Sequence, residues 1–192
     1  KMLKNIFSSY LYEGECDVSL IKFKKHILDT RKKNKQGIII SNRKGWQSNF
    51  FNKINNHNQK VFEFLNKEVD KVTKNLNLKD NIKLRSYWYN INNKFCFNVP
   101  HTHADYGLVL SGVLYITTPK NSGNIVFTRN DPVCDMMYAS SKVNNYNEYT
   151  SSNFTVIPKE KVFLLFSSGT PHYVEPSLSN QDRISISFNY GI

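Results

Sequence analysis

The hydrophobic period of this chain changes once, near Asp80, and that change constrains the fold more than any other feature. Before it, Ile54, Val61, Phe62, Leu65, Val69, Val72 and Leu76 recur at helical spacing with Lys, Asn and Glu between them. That stripe predicts an amphipathic helix of about 20 residues. A shorter helix is expected from Asp17 as N-cap, turning Leu20, Ile21, Phe23, Ile27 and Leu28 inward and ending in the basic run 31–35. Residues 37–41, with three consecutive isoleucines, read as a short strand. After Asp80 the period is two. Runs rich in Ile, Val, Phe and Tyr at 82–91, 94–98, 107–118, 124–128, 154–157, 162–166 and 183–189 are separated by Asn, Gly, Pro and Ser. Helices followed by many short strands predict an α+β, mainly β architecture: a β-sandwich or barrel braced by helices on one side. Residues 1–80 are then helical support and 81–192 the barrel of a single domain, because 192 residues suit one core better than two.

Charge separates along the same boundary. Residues 1–100 hold 20 Lys/Arg and 8 Asp/Glu, a balance of +12, and residues 101–192 hold 6 and 7, a balance of −1. The excess belongs to the helical half, where solvated outer faces account for it better than a phosphate-binding surface does. No apolar run approaches the roughly 18 residues of a membrane span, and the first residues lack the apolar block of a signal peptide. Cys16, Cys96 and Cys134 are odd in number and far apart, without metal or redox spacing. A cytoplasmic protein with reduced thiols and no membrane contact is expected.

The residues able to carry chemistry lie in the second half. Pro100-His-Thr-His-Ala-Asp105 contains two candidate chelating pairs, His101/His103 and His103/Asp105, because residues i and i+2 of a strand point to the same side. His172 is the natural third donor, lying at the start of a later strand after the turn Ser-Ser-Gly-Thr-Pro. Two imidazoles and a carboxylate on one face of a metal describe non-haem Fe(II) oxygenase sites. Arg183 follows His172 by 11 residues and heads a strand whose alternate residues Arg183, Ser185, Ser187 and Asn189 are polar, against Ile184, Ile186 and Phe188. A guanidinium there suits an anionic co-substrate, since it forks onto a carboxylate with two parallel hydrogen bonds.

In order along the chain, Gly45-Trp-Gln-Ser48, Trp88-Tyr-Asn90, His103-Ala-Asp105, Ser111-Gly-Val-Leu-Tyr-Ile116, Ser122-Gly-Asn-Ile-Val-Phe127, Leu165-Phe-Ser-Ser-Gly-Thr-Pro-His172 and Arg183-Ile-Ser-Ile-Ser-Phe-Asn189 resemble the 2-oxoglutarate and Fe(II)-dependent oxygenases of marine phages, a group of prolyl-hydroxylase-like barrels. The resemblance covers roughly residues 45–192. It implies a double-stranded β-helix, the jelly-roll barrel shared with cupins, with helices packed outside. It also implies a 2-oxoglutarate whose distal carboxylate sits on Arg183 with help from Ser185, and candidate contacts from Tyr115 and Asn90. Relatives commonly carry His-x-His before the Ser-Gly-Val strand. Ungapped registration on Ser111-Gly-Val113 puts that pair on His103 and Asp105, so the expected ligands are His103, Asp105 and His172, with His101 as the alternative ligand.

The implied activity is that of a dioxygenase, an oxidoreductase using Fe(II), 2-oxoglutarate and O2, with ascorbate as a candidate reductant. The preferred acceptor is a protein or peptide residue such as proline. Nucleobase oxidation is the alternative, as is a cupin-type module that binds a metal and an acid without oxygen chemistry. The polar stretch 129–153, with Met136, Met137 and Tyr138, is the expected lid. If phage-encoded, the protein would work in the host cytoplasm.

Overall fold

The computed structural model of the chain describes residues 2, 9–78, 81–129, 142–147 and 149–192. Most of the expected lid, with Met136, Met137, Tyr138 and Cys134, lies outside the described residues. Two helices, α1 (Ile21–Lys33) and α2 (Gln59–Asn75), accompany strands β1 (Leu11–Glu15), β2 (Asn42–Arg43), β3 (Trp46–Gln47), β4 (Lys83–Asn92), β5 (Phe97–His101), β6 (Leu108–Thr117), β7 (Ile125–Thr128), β8 (Asn153–Val156), β9 (Val162–Ser167), β10 (His172–Val174) and β11 (Arg183–Gly191). They form two antiparallel sheets, one ordered β1-β9-β6-β11-β4-β3 and the other β2-β5-β10-β7-β8. This is the double-stranded β-helix, mostly β with two supporting helices among the described residues.

The period-two alternation creates the layers. On the outer face of the large sheet, Tyr87, Tyr89 and Ile91 of β4, Leu110 and Leu114 of β6, Phe163 and Leu165 of β9, and Ile184, Ile186 and Phe188 of β11 are buried with Phe23 and Ile27 of α1 and Val61, Phe62, Leu65, Val69 and Val72 of α2. The residues between them face inward. Val113, Tyr115, Leu164 and Phe166 pack with Ile125 and Phe127 of the small sheet. The helices thus cover one face of the large sheet, and the small sheet closes over the other.

The first 80 residues do more than supply helices. β1 pairs with β9, β2 with β5, and β3 with β4, so this segment adds strands to both sheets. Residues 37–41 form no strand; Ile39 and Ile40 are exposed, and pairing begins at Asn42. Helix α1 begins later than Asp17 would cap it, with Leu20 at the N-cap position and no side-chain cap bond, and Ile21 faces solvent. Helix α2 begins after Ile54, and Asn58 at its N-cap position makes no side-chain cap bond because its amide is engaged elsewhere. Its amide oxygen accepts the Asn55 N–H at 2.8 Å, and its amide nitrogen donates to the Tyr87 hydroxyl at 2.8 Å. Cys16 and Cys96 are buried free thiols. Among the described residues no helix is long and apolar enough to cross a membrane.

Candidate metal centre

Cross-strand pairing assembles the centre. In the β5–β10 ladder His101 is the direct partner of His172, which brings two imidazoles from distant parts of the chain side by side. His103 follows two residues beyond His101, and its backbone N–H donates to the Ser168 carbonyl at 2.8 Å, which ties the segment leaving β5 to the turn before His172. One ring nitrogen from each of His101, His103 and His172 lies within 4.8 Å of the others.

The second nitrogens of two rings fix their tautomers. His101 Nδ1 lies 2.8 Å from the Val99 carbonyl and His172 Nδ1 lies 2.9 Å from the Thr170 carbonyl. A carbonyl only accepts, so each Nδ1 carries the proton and each Nε2 keeps its lone pair. Ser41 Oγ reaches His101 Nε2 at 3.4 Å while accepting from Asn98 Nδ2 at 3.0 Å. Burial lowers the pKa of all three imidazoles. His172 falls to about 4, with His101 adding repulsion, and His103 to about 3, with His172 and His101 adding theirs; His101 is lowered as well. Neutral imidazoles with free lone pairs are the protonation state a divalent transition metal requires, so this donor set fits one.

Asp105 stands apart from the cluster. Strand β5 ends at His101, and the alternation that would carry Asp105 to the same side ends with it. Residues beyond His103 turn toward β6: the Asp105 carbonyl accepts the Leu108 N–H at 3.1 Å, and its exposed carboxylate accepts the Tyr106 N–H at 2.7 Å. The geometry therefore differs from the ungapped registration, and the set it brings together is His101, His103 and His172.

All three histidines line a cavity of about 550 Å³, counting the part open to solvent, together with Asn90, Tyr115, Arg183 and Ser185. Arg183 is 4% exposed. Its Nη1 donates to the Gly123 carbonyl at 2.8 Å and its Nη2 to the Asn92 side-chain oxygen at 2.8 Å, and its Nε has no partner among the described residues. No described carboxylate lies within ion-pair distance of it. A buried cation compensated only by neutral acceptors is ready for an anion. Ser185 is the cross-strand partner of both Tyr115 and Asn90, and Asn90 Nδ2 donates to Ser187 Oγ at 3.0 Å. Burial pushes the Tyr115 phenol up to about 12, against the lowering influence of Arg183, so it stays a hydrogen-bond donor at neutral pH.

The cavity also contains Ser41, Asn92 and Asn98, which the sequence reading did not single out. Asn92 was reachable, since it continues the inward face of Trp88 and Asn90 by two residues. Ser41 carries no sequence signal; it reaches the site because β2 pairs with β5. Trp88 lines the same cavity, 5.6 Å from the His103 ring centroid, and Phe50 stands edge-on to it at 5.1 Å.

Solved structures with the same fold include a Pseudomonas putida prolyl-4-hydroxylase (14% identity over 95% of this chain and 92% of that one, TM-score 0.63). A viral collagen prolyl hydroxylase from Paramecium Bursaria Chlorella virus-1, solved as its 2-oxoglutarate complex, is 13% identical over 95% and 97% of the two chains (TM-score 0.60). A prolyl hydroxylase from Trichoplax adhaerens, bound to a hypoxia inducible factor peptide fragment, is 12% identical over 94% and 83% (TM-score 0.62). A search of curated protein sequences returns no match. The family model described as "Putative 2OG-Fe(II) oxygenase" matches residues 86–189, a span that runs from β4 through every residue of the histidine cluster to Arg183 and beyond, and the chain belongs to that family of 2-oxoglutarate-dependent oxygenases.

Proposed function

We propose that this oxygenase holds Fe(II) on His101, His103 and His172, takes the distal carboxylate of 2-oxoglutarate on Arg183, and hydroxylates a protein or peptide residue such as proline. The observation that carries this reading is the shared cavity: three neutral imidazole donors and one buried guanidinium with no carboxylate partner among the described residues open into the same space. When bound, the metal and co-substrate supply the oxidative chemistry, in which 2-oxoglutarate and O2 yield succinate and CO2 while an acceptor C–H bond becomes C–OH.

The chain's own residues bind, orient and exclude water. The Val99 and Thr170 carbonyls hold two imidazoles in the ligating tautomer. Arg183 offers its free N–H groups to a carboxylate, and Tyr115, Ser185 and Asn90 border the same space. Val113, Ile125, Phe166 and Val174 give the cavity apolar walls, which strengthen every charge interaction inside it.

The peptide acceptor is supported by the aromatic pair Trp88 and Phe50 beside His103, a surface on which a prolyl ring can pack, and by the prolyl hydroxylases among the structures of this fold. Nucleobase oxidation is favoured only by the basic charge of the first 100 residues. A cupin-type module without oxygen chemistry is set aside by the family match. A reducing cytoplasmic location accords with the buried thiols Cys16 and Cys96. The test is succinate formation from 2-oxoglutarate under Fe(II), ascorbate and air, with proline-containing peptides or single-stranded oligonucleotides as acceptors. Stimulation by peptides is expected. Stimulation by oligonucleotides alone would replace the acceptor, and no succinate under any condition would overturn the reading.

A further inference from the structure

Burying a guanidinium is costly, and proteins usually offset that cost with a carboxylate. Arg183 has none among the described residues; its two protein acceptors are both neutral amide oxygens. One is the backbone carbonyl of Gly123, which sits at φ +85° where a Cβ would collide with the Glu175 carbonyl. The other is the side chain of Asn92, the last residue of β4 and the direct cross-strand partner of Arg183.

Asn92 is itself held from several sides. It is 3% exposed, its amide nitrogen donates to the Ile91 carbonyl at 3.1 Å, and its amide packs so closely on Gly45 that a Cβ there would collide with it. Gly45 occupies the β2–β3 turn. That turn is fixed by Asn42, whose Nδ2 donates to the carbonyls of Ile38 and Gly45 at 3.1 and 3.0 Å, and by the pairing of Trp46 with Ile91. Gly45, Asn42 and Asn92 thus form a continuous support running from the N-terminal half of the chain to the guanidinium.

We propose that Asn92 is a positioning residue for co-substrate binding: its neutral amide fixes the plane of the Arg183 guanidinium while leaving the positive charge uncommitted for an incoming carboxylate. An acid of the same shape at position 92 would keep the acceptor for Nη2 and neutralise the charge, while turning an oxygen toward the Ile91 carbonyl in place of the amide N–H. The added charge in Asn92→Asp should therefore cost more co-substrate affinity than the simple loss of the acceptor in Asn92→Ala, whereas a merely structural role for Asn92 would make the larger truncation the costlier one. The inference rests on the proposed role of Arg183 as the anchor of 2-oxoglutarate.

The experiment titrates 2-oxoglutarate into Mn(II)-loaded parent, Asn92→Asp, Asn92→Ala and Arg183→Ala proteins by calorimetry, and measures the melting temperature of each without metal or ligand. Asn92→Asp should bind 2-oxoglutarate at least tenfold more weakly, because its carboxylate pairs with the guanidinium that the co-substrate needs. Asn92→Ala, which removes the acceptor without adding charge, should weaken binding three- to tenfold. Parent-like affinity in Arg183→Ala would overturn the anchor role and this inference with it. Weakened binding in Arg183→Ala beside affinity within threefold of the parent in Asn92→Asp would overturn the inference alone. So would an Asn92→Ala protein that binds 2-oxoglutarate more weakly than Asn92→Asp does. Should Asn92→Asp fail to fold, affinity within twofold of the parent in Asn92→Ala decides against it.

Discussion

His101 and His172 face each other across the β5–β10 ladder with ring centroids 4.4 Å apart, and each donates its Nδ1–H to the carbonyl two residues upstream. The two rings share one local construction, so they should contribute similarly to the metal. His101→Ala and His172→Ala should each lose more than the roughly 10- to 100-fold in affinity attached to removing an outer-shell partner. Asp105→Asn should stay within about twofold, as befits a carboxylate outside the cluster. Competition titration with Co(II) or Fe(II) checks this, and comparable losses in Asp105→Asn and His172→Ala would restore the carboxylate to the ligand set.

Arg183 is expected to dominate co-substrate affinity. Removing one partner of a buried charge-assisted pair costs about 2 to 5 kcal/mol, a factor of roughly 30 to several thousand. Arg183→Ala should show that loss in the apparent affinity for 2-oxoglutarate with metal binding intact, and Arg183→Lys should recover only part of it because an ammonium cannot reproduce the fork. A change below about threefold in Arg183→Ala would remove the assignment.

Stability should be concentrated where α2 meets the large sheet. Phe62 has no solvent exposure and packs against Tyr87 and Phe188, so Phe62→Ala should cost about 3 to 5 kcal/mol in urea unfolding. Ile21 is 79% exposed although it falls on the stripe read as inward-facing, and Ile21→Ala should stay within about 0.5 kcal/mol. Equal costs would contradict the observed rotation of α1.

Acid should weaken the metal-free fold partly through His26. Partial burial lowers its pKa, and His57, stacked on it with centroids 4.4 Å apart, and Lys33 push the same way against Asp29. Its folded pKa is depressed, so the unfolded chain takes up the proton first. The stability is therefore present above the ordinary histidine value near 6.5 and is lost as the pH falls from there through the folded value. His26→Gln should flatten the dependence of the urea midpoint between pH 7.5 and 5.5. An unchanged slope would exclude this contribution.

Hydrophobic periodicity located most of the longer elements and the faces they present, though not β1, β2 or β3. The switch from helical to period-two spacing near Asp80 located α2, β4, β6, β7, β8, β9 and β11 to within a few residues. The strict alternation from Arg183 to Phe188 assigned its polar residues to one side and its apolar ones to the core, because a strand offers only two faces. Which residues meet depends instead on how the strands pair. Alternation defines neighbours only while a strand lasts, and β5 stops at His101, so the choice between His101 and Asp105 depended on where pairing with β10 ends rather than on the spacing of the motif. Ser41 and the Gly45–Asn92 contact were equally out of reach, since pairing between β2 and β5 and between β3 and β4 joins segments some 50 residues apart that carry no local signature of their partners.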